Sequence, residues 1–197
     1  MKKIGIFGGT FSPPHNGHVS AAKCFIETMA PDKLIIMPSN IPPHKYIDTA
    51  DDPRLRLEMA HLAFDGLLST VVSDWEISRG DISYTANTLL HFSKEGKLYF
   101  LCGTDMFLTL DSWYRPDIIF SNASIVLADR YLGKSNDVES ARQHYVQKYG
   151  ADITILPNSI VEISSSEIRR RIKNSESCSD LLPPSVEEYI KRNGLYK

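Results

Sequence analysis

The densest run of chemistry-bearing residues lies between positions 8 and 18, which read Gly-Gly-Thr-Phe-Ser-Pro-Pro-His-Asn-Gly-His. Gly8 and Gly9 let the backbone turn and approach a ligand closely. The helix predicted to open after them presents unpaired N–H groups and the positive end of its dipole, a combination that favours an anion. His15 and His18, at i, i+3 spacing, flank that position, and each imidazole can donate an N–H to a phosphate oxygen. The segment therefore reads as phosphate-handling chemistry. It is not a Walker A loop, because no Gly-Lys-Ser/Thr ends it, and it lacks the G-x-G-x-x-G dinucleotide fingerprint. A His pair at this spacing also suits a metal, but no Cys or carboxylate joins it nearby. A Pro/Gly turn with two incidental histidines is the plain alternative, and the position directly after an apolar run counts against it.

Five further clusters could serve the same site. Residues 38–45 read Pro-Ser-Asn-Ile-Pro-Pro-His-Lys, where Lys45 offers a mobile point charge and Asn40 can bond a ribose or phosphate group. A Pro-rich turn with a solvated lysine would look alike. Ser83-Tyr84-Thr85 stands at a predicted helix start, where capping alone would account for Ser83 or Thr85. Gly103 and Asp105 close an apolar run; glycine permits close backbone approach and the carboxylate can bond nucleotide hydroxyls. Trp113 offers a flat face for an aromatic ring. Most tryptophans are core residues, but Asp111, Ser112 and Arg115 argue for partial exposure. Ser164-Ser165-Ser166-Glu167 has the form of a capping box, with Arg169 one turn inside and able to reach the same anion.

The elements that must carry these residues follow from periodicity. Segments 2–7, 33–37, 70–73, 98–101, 124–127 and 152–156 read as strands, several with no polar face, as strands buried on both sides do. Helices are predicted over 17–29, 53–64, 84–93, 117–121 and 137–149. This alternation predicts an α/β fold, a doubly wound Rossmann-like parallel sheet with helices on both faces. Two last helices, 164–173 and 184–192, have no strand between them and form a small C-terminal helical end-piece. The chain is read as one domain over 1–197, with the helical part from about 160, and 40–52 and 73–83 as functional loops.

Composition sets bounds. The chain has 197 residues, 42% hydrophobic and 23% charged, enough for a sizeable core and against disorder. A net charge of −2 gives no global pull toward nucleic acid or acidic membranes, so an anion must be held by a local cluster. Cys24, Cys102 and Cys178 form no C-x-x-C pair, which fits a reducing cytosol better than a disulfide framework. The apolar run after Lys2 and Lys3 is too short for a signal peptide, and no stretch nears the roughly 20 apolar residues of a membrane span.

The 8–18 segment resembles the G-T-F-D-P-x-H-x-G-H signature of the nucleotidyltransferase superfamily, whose two histidines contact the ATP phosphates. Carried over, these are His15 and His18, with Gly8, Gly9, Thr10 and Phe11 lining the nucleotide. Ser12 replaces the more usual Asp. Phosphopantetheine adenylyltransferases usually carry Thr where this chain has His15; cytidylyltransferases keep both histidines. The later clusters are similar to those of bacterial nicotinate-nucleotide adenylyltransferases: P-x-N-x-P-P-H-K at 38–45, S-Y-T-x-x-T-L at 83–89, G-x-D then W-Y at 103–114, and I-S-S-T/S-x-I-R at 163–169. The segment 177–196 resembles that family's C-terminus and is assigned to packing. Where the family often has Arg-Pro, this chain reads Ala128-Asp129-Arg130-Tyr131, and Arg130 is placed in the arginine's position.

The resemblance implies ATP and nicotinate mononucleotide as substrates, nicotinate adenine dinucleotide and pyrophosphate as products, and Mg²⁺ carried with ATP. His15, His18, Lys45 and Arg169 would be catalytic. The ATP set is completed by Gly103, Asp105, Ser164, Ser165 and Ser166; Asn40, His44, Lys45, Tyr84, Thr85, Trp113 and Arg130 would hold the mononucleotide, with the start of the 84–93 helix receiving its carboxylate. A cytoplasmic enzyme with no protein-held metal is expected, and a homo-oligomer is compatible with the sequence. The acceptor phosphate is already an anion, so no general base is needed; alignment and charge stabilisation carry the reaction. The rival readings are an adenylyltransferase for the amide or another phosphate-bearing acceptor, and a non-catalytic nucleotide-binding module. Loss of a signature histidine would mark the latter, and both are present.

Overall fold

A computed structural model describes residues 1–43, 52–129, 135–157 and 163–197. Its strands are β1 (Lys3–Gly9), β2 (Lys33–Pro38), β3 (Thr70–Val72), β4 (Lys97–Gly103), β5 (Ala123–Ala128) and β6 (Ile153–Ile155). They form a single parallel sheet in the order β3-β2-β1-β4-β5-β6. The helices are α1 (Asn16–Met29), α2 (Pro53–Phe64), α3 (Trp75–Arg79), α4 (Thr85–Phe92), α5 (Thr104–Phe107), α6 (Pro116–Asn122), α7 (Asn136–Tyr149), α8 (Ser165–Lys173) and α9 (Pro184–Asn193).

Alternation along the strands feeds two cores. Phe7, Leu34, Ile36, Leu101 and Val126 face α1, α2, α8 and α9, against Phe25, Met59, Phe64, Ile168 and Tyr189. Ile4, Ile6, Ile35, Met37, Phe100 and Ile125 face the other way, against Leu89 of α4, Phe107 of α5, Ile119 of α6 and Tyr145 of α7. Both faces are covered, which is why these strands show no polar side in the sequence. Gly5 sits under α1: a Cβ there would stand 2.6 Å from the Phe25 ring, so its absence sets how closely the helix approaches the sheet. The end-piece α8 and α9 joins the α1/α2 face, as its Ile168, Val186 and Ile190 show.

The order places the topological switch between β1 and β4. The chain winds outward through β2 and β3, then returns to the other side of β1. Ligands of such sheets bind in the crevice at the carboxyl ends of the strands on either side of that switch. Here those ends are Gly9 and Gly103, so the first loop and the Gly103–Asp105 turn face one crevice.

Three details depart from the sequence reading. The stretch 73–83 is not loop throughout: it contains α3, whose Ser78 hydroxyl bonds the Asp74 carboxylate and whose end turns at Gly80 with φ +72°. Five residues are too few for a periodic signal. The four-residue α5 and a 3-10 turn at Leu110–Ser112 escape for the same reason. The first loop does not turn at its glycines, because β1 runs on through Gly8 and Gly9, paired with Met37 and Pro38. The bend falls at Phe11, with φ +51°. Gly9 serves differently: a Cβ would press within 3.0 Å of the Phe11 ring, so this glycine makes room for that ring to fold inward.

Candidate functional site

The site is built around the entrance of α1. Phe11 is 1% exposed and packs edge-on to Phe7 and Phe64, at centroid separations of 5.6 Å each. Its ring also supports His18, 5.0 Å away. What Phe11 can present to a ligand is its backbone. His15 is the N-cap of α1; its carbonyl accepts from the His18 and Val19 N–H groups. The two imidazoles stack, with centroids 3.7 Å apart. His15 is buried at 5% exposure, whereas His18 is half-buried.

One hydrogen bond sets the chemistry of His18. The backbone N–H of His15 donates to His18 Nδ1 at 3.2 Å. An Nδ1 that accepts cannot carry the proton, so the neutral ring is protonated at Nε2. The fold thus prepares the neutral His18 ring as a donor at Nε2. An imidazole donor beside a helix N-terminus is suited to stabilising negative charge that grows on a phosphoryl oxygen.

The C-terminal piece closes over the same loop. Arg169 Nη1 donates to the Ser12 carbonyl at 2.7 Å and Nη2 to Ser166 Oγ at 3.3 Å. A guanidinium has five N–H donors, so these bonds aim it without using up its capacity for an anion. Ser165 Oγ donates to the Pro13 carbonyl at 2.9 Å, and Asn16 N–H to the Leu181 carbonyl at 2.9 Å. Ser164 Oγ accepts from Glu167 N–H at 3.1 Å, which is the cap half of the expected box. The return half does not form. The Glu167 carboxylate instead pairs with Arg170 and Arg171, whose hydrogen bonds hold it down at about 2. Ser12, where a carboxylate was the usual residue, is buried; its Oγ lies 3.3 Å from the Tyr196 hydroxyl. The tail assigned to packing therefore also braces the loop between β1 and α1.

The second half of the crevice is organised by Asn40. Its N–H donates to Ser83 Oγ at 2.8 Å and its side-chain amide to the Asp81 carbonyl at 3.0 Å. Ile41 and Ile82 form a parallel bridge, and Ser83 N–H donates to the Ile41 carbonyl at 2.9 Å. Ser83 is thus a loop-to-loop tie rather than a cap; the N-cap of α4 is Tyr84. Tyr84 N–H turns back to the Ile82 carbonyl at 3.1 Å, so the first N–H that α4 can offer a ligand belongs to Thr85. Beneath Ser83 lies Glu76, 8% exposed, which accepts a short hydrogen bond from Thr88. Burial pushes its carboxyl up, while hydrogen bonds from Thr88 and Ser83 and nearby Arg79 pull the other way.

Trp113 is half-buried, as its polar neighbours implied. Its Nε1 donates to Thr109 Oγ1 at 3.1 Å and its ring meets Phe100 edge-on at 6.3 Å. The next residue, Tyr114, lies against Tyr84 at 4.4 Å, which joins the tryptophan turn to the start of α4. Behind the turn, Asp111 accepts from Lys148 and Tyr149 of α7. Asp105 is exposed in the first turn of α5, and Gly103 has open space where a Cβ would be. Cys102 is fully buried, and burial pushes its thiol far up, so it is no nucleophile.

His44, Lys45 and Arg130 lie outside the described residues. Apart from Gly103 and Asp105 at the end of β4, the remaining site residues collect in two groups, the α1 entrance with α8, and Asn40 with the start of α4 and the Trp113 turn. Sequence reading passed over Arg56, Glu76, Asp129 and Tyr196. Arg56 is 0% exposed and bridges the two groups, donating to the Thr10 carbonyl at 2.8 Å and the Asn40 carbonyl at 2.9 Å. Its signal was available: it falls on the stripe of α2 otherwise formed by Met59, Ala60, Ala63 and Phe64, where a charge is out of place. Asp129, also buried, accepts from Thr104 Oγ1 at 2.8 Å and ties α5 to the end of β5. Among the described residues, no three His, Cys, Asp or Glu side chains gather as a metal cage, and no helix is long and apolar enough to cross a membrane.

Comparison with known proteins places this geometry. The cytidylyltransferase-like family model matches residues 6–171. A Clostridium botulinum protein named "Probable nicotinate-nucleotide adenylyltransferase" is 35% identical over 100% of this chain and 99% of its own length. One of the same name from Clostridium acetobutylicum is 36% identical over 100% of both. Among solved structures, the Plasmodium falciparum nicotinic acid mononucleotide adenylyltransferase complexed with NaAD superposes with a TM-score of 0.77, covering 100% of this chain and 98% of that one at 19% identity. That likeness is one of fold.

Proposed function

Since the chain belongs to the cytidylyltransferase-like family and, within it, to the nicotinate-nucleotide adenylyltransferases, we propose that it transfers the adenylyl group of ATP to nicotinate mononucleotide. A phosphate oxygen of the mononucleotide attacks the α-phosphorus of ATP. The bond from that phosphorus to the bridging oxygen breaks, and pyrophosphate leaves with the electron pair. The observation that carries the reading is the His15–His18 bond, which holds His18 as an Nε2 donor at the mouth of α1.

The obstacle is electrostatic, since one anion must approach another. His18 stabilises the α-phosphate as charge shifts onto it. His15 and Arg169 hold the β- and γ-phosphates, with Arg169 aimed by Ser12 and Ser166. Lys45 assists between the substrates. Thr85 N–H and hydroxyl receive the nicotinate carboxylate, and the pyridine ring stacks on Trp113. Mg²⁺ enters as part of the ATP substrate, with water and phosphate oxygens as its main ligands. The cytosol, where both substrates are met, is the proposed compartment.

The test is formation of dinucleotide and pyrophosphate from ATP and nicotinate mononucleotide, run beside the amide mononucleotide. The acid should be the faster acceptor; a faster amide reaction would move the assignment to the alternative acceptor. Trp113→Ala should weaken mononucleotide affinity, by the ~1–3 kcal/mol typical of ring stacking on aromatics, with little change for ATP. Equal losses would remove the stacking assignment.

A further inference from the structure

We propose that Arg56 is a positioning residue that couples the nucleotide loop to the acceptor loop, so that occupancy of one is felt at the other; this rests on the adenylyl-transfer reading above. The guanidinium is wholly buried under α2, and its two terminal nitrogens divide between two loops. Nη1 holds the Thr10 carbonyl at 2.8 Å, in the segment leading to His15 and His18. Nη2 holds the Asn40 carbonyl at 2.9 Å, in the segment after β2. The rest of Asn40 is held from the other side: its N–H by Ser83 Oγ and its side-chain amide by the Asp81 carbonyl. Ser83 in turn directly precedes Tyr84, the N-cap of α4, whose Thr88 hydroxyl is taken by the buried Glu76. A continuous series of hydrogen bonds therefore runs from Thr10 through Arg56 and Asn40 to Ser83, which adjoins the N-cap of α4, the helix whose first turn faces the acceptor.

Stability does not explain a guanidinium here. Burying a charge is costly, and a well-packed apolar residue on the same stripe is often neutral or better. What an apolar residue lacks is the planar fork, which fixes two acceptors at a set separation and which lysine, with a single ammonium, does not reproduce. The in-line reaction needs the two substrates set relative to each other, and a misplacement of about 1 Å can lower the rate by about 10²-fold. A rigid fork between the loops meets that need. A ligand that orders one loop then orders the other, and the coupling acts equally in both directions.

The experiment uses Arg56→Lys and Arg56→Met in the full chain, with Ser83→Ala as a milder cut in the same series that leaves the buried charge in place. Three quantities are read: Tm, kcat and KM for each substrate, and amide exchange at residues 81–88 with and without an unreactive ATP analogue. In the wild type the analogue should slow exchange at 81–88, although it binds at the other loop. In Arg56→Lys the chain should stay folded, kcat should fall about 10²-fold, each KM should stay within about threefold, and the analogue should no longer slow exchange there. Ser83→Ala should weaken the same protection. A merely structural residue would lower Tm alone and be rescued by lysine. Wild-type kcat and intact protection in Arg56→Lys would overturn the proposal, as would a wild type in which the analogue leaves 81–88 unprotected. If the Arg56 variants do not fold, Ser83→Ala decides: unchanged protection refutes the link and weakened protection supports it. A wild type that protects 81–88 but forms no dinucleotide faults the functional reading and leaves the link standing.

Discussion

The His15–His18 hydrogen bond separates two tasks of one ring, and two substitutions should pull them apart. Asn at position 18 can place its carbonyl oxygen near where Nδ1 stands, so it keeps an acceptor for the His15 N–H, now at 3.2 Å. It has nothing at the distance of Nε2. Gln reaches one bond farther: its amide can supply a donor near the Nε2 position but abandons the nearer acceptor. Both variants lose the stacking on His15 and the edge contact with Phe11, so that loss cancels when they are compared with each other. Removing a preorganised donor from developing negative charge costs about 10²–10³ in kcat, or roughly 2.7–4 kcal/mol. Removing the acceptor of an N–H whose residue is only 5% exposed costs about 1–3 kcal/mol of stability. At about 2–4 °C per kcal/mol for a chain of this size, Tm falls by about 2–12 °C. His18→Asn should therefore melt above His18→Gln by that margin and turn over about 10²–10³-fold more slowly than the wild type. His18→Gln should melt lower and retain more turnover. The assays are thermal unfolding and steady-state dinucleotide formation at a temperature where both variants are folded. The reverse ranking, or equal losses of both kinds in both variants, would refute the division of labour between Nδ1 and Nε2.

Other positions give independent checks. Gly5→Ala forces a methyl to 2.6 Å from the Phe25 ring and 2.8 Å from Leu34, so overpacking should cost about 1–3 kcal/mol and lower Tm. Unchanged Tm would mean that α1 shifts freely. Tyr196→Phe removes the hydroxyl beside Ser12 Oγ, and KM for ATP should rise while KM for the mononucleotide holds. A rise in both would mean that the tail does not act through the phosphate loop. Asp111 is pushed down to about 2 from its ordinary 3.8, chiefly by hydrogen bonds from Tyr149 and Lys148. A depressed carboxyl adds stability that is full above its unfolded value and fades as pH falls through the folded one. The Tm gap between wild type and Asp111→Asn should thus be widest above pH 4 and close toward pH 2; a constant gap would show that the ionised pair contributes nothing.

Local information was enough to find the chemistry. The spacing of His15 and His18, their place after the first strand, the both-sides-buried strands and the capping residue Ser164 are properties of neighbours in the chain. They made the doubly wound sheet and the histidine pair at the entrance of α1 legible in the sequence alone. The local reading failed where helices were too short to show a period, as in α3 and α5, and where a glycine's purpose lay in another residue's ring, as Gly9 serves Phe11.

What only the tertiary structure decided is which side chains hold the site together. Arg56 reaches Thr10 and Asn40, Arg169 reaches Ser12, and Ser165 reaches Pro13, across sequence separations of 46, 16, 157 and 152 residues. Each of these bonds ends on a backbone carbonyl. Every residue carries one, so the acceptor leaves no mark in the amino-acid sequence. The sequence therefore determined the groups proposed to meet the substrates, through residue type and short spacing. The fold alone decided the frame that aims them, because a buried donor takes whichever carbonyl the packed chain brings within reach.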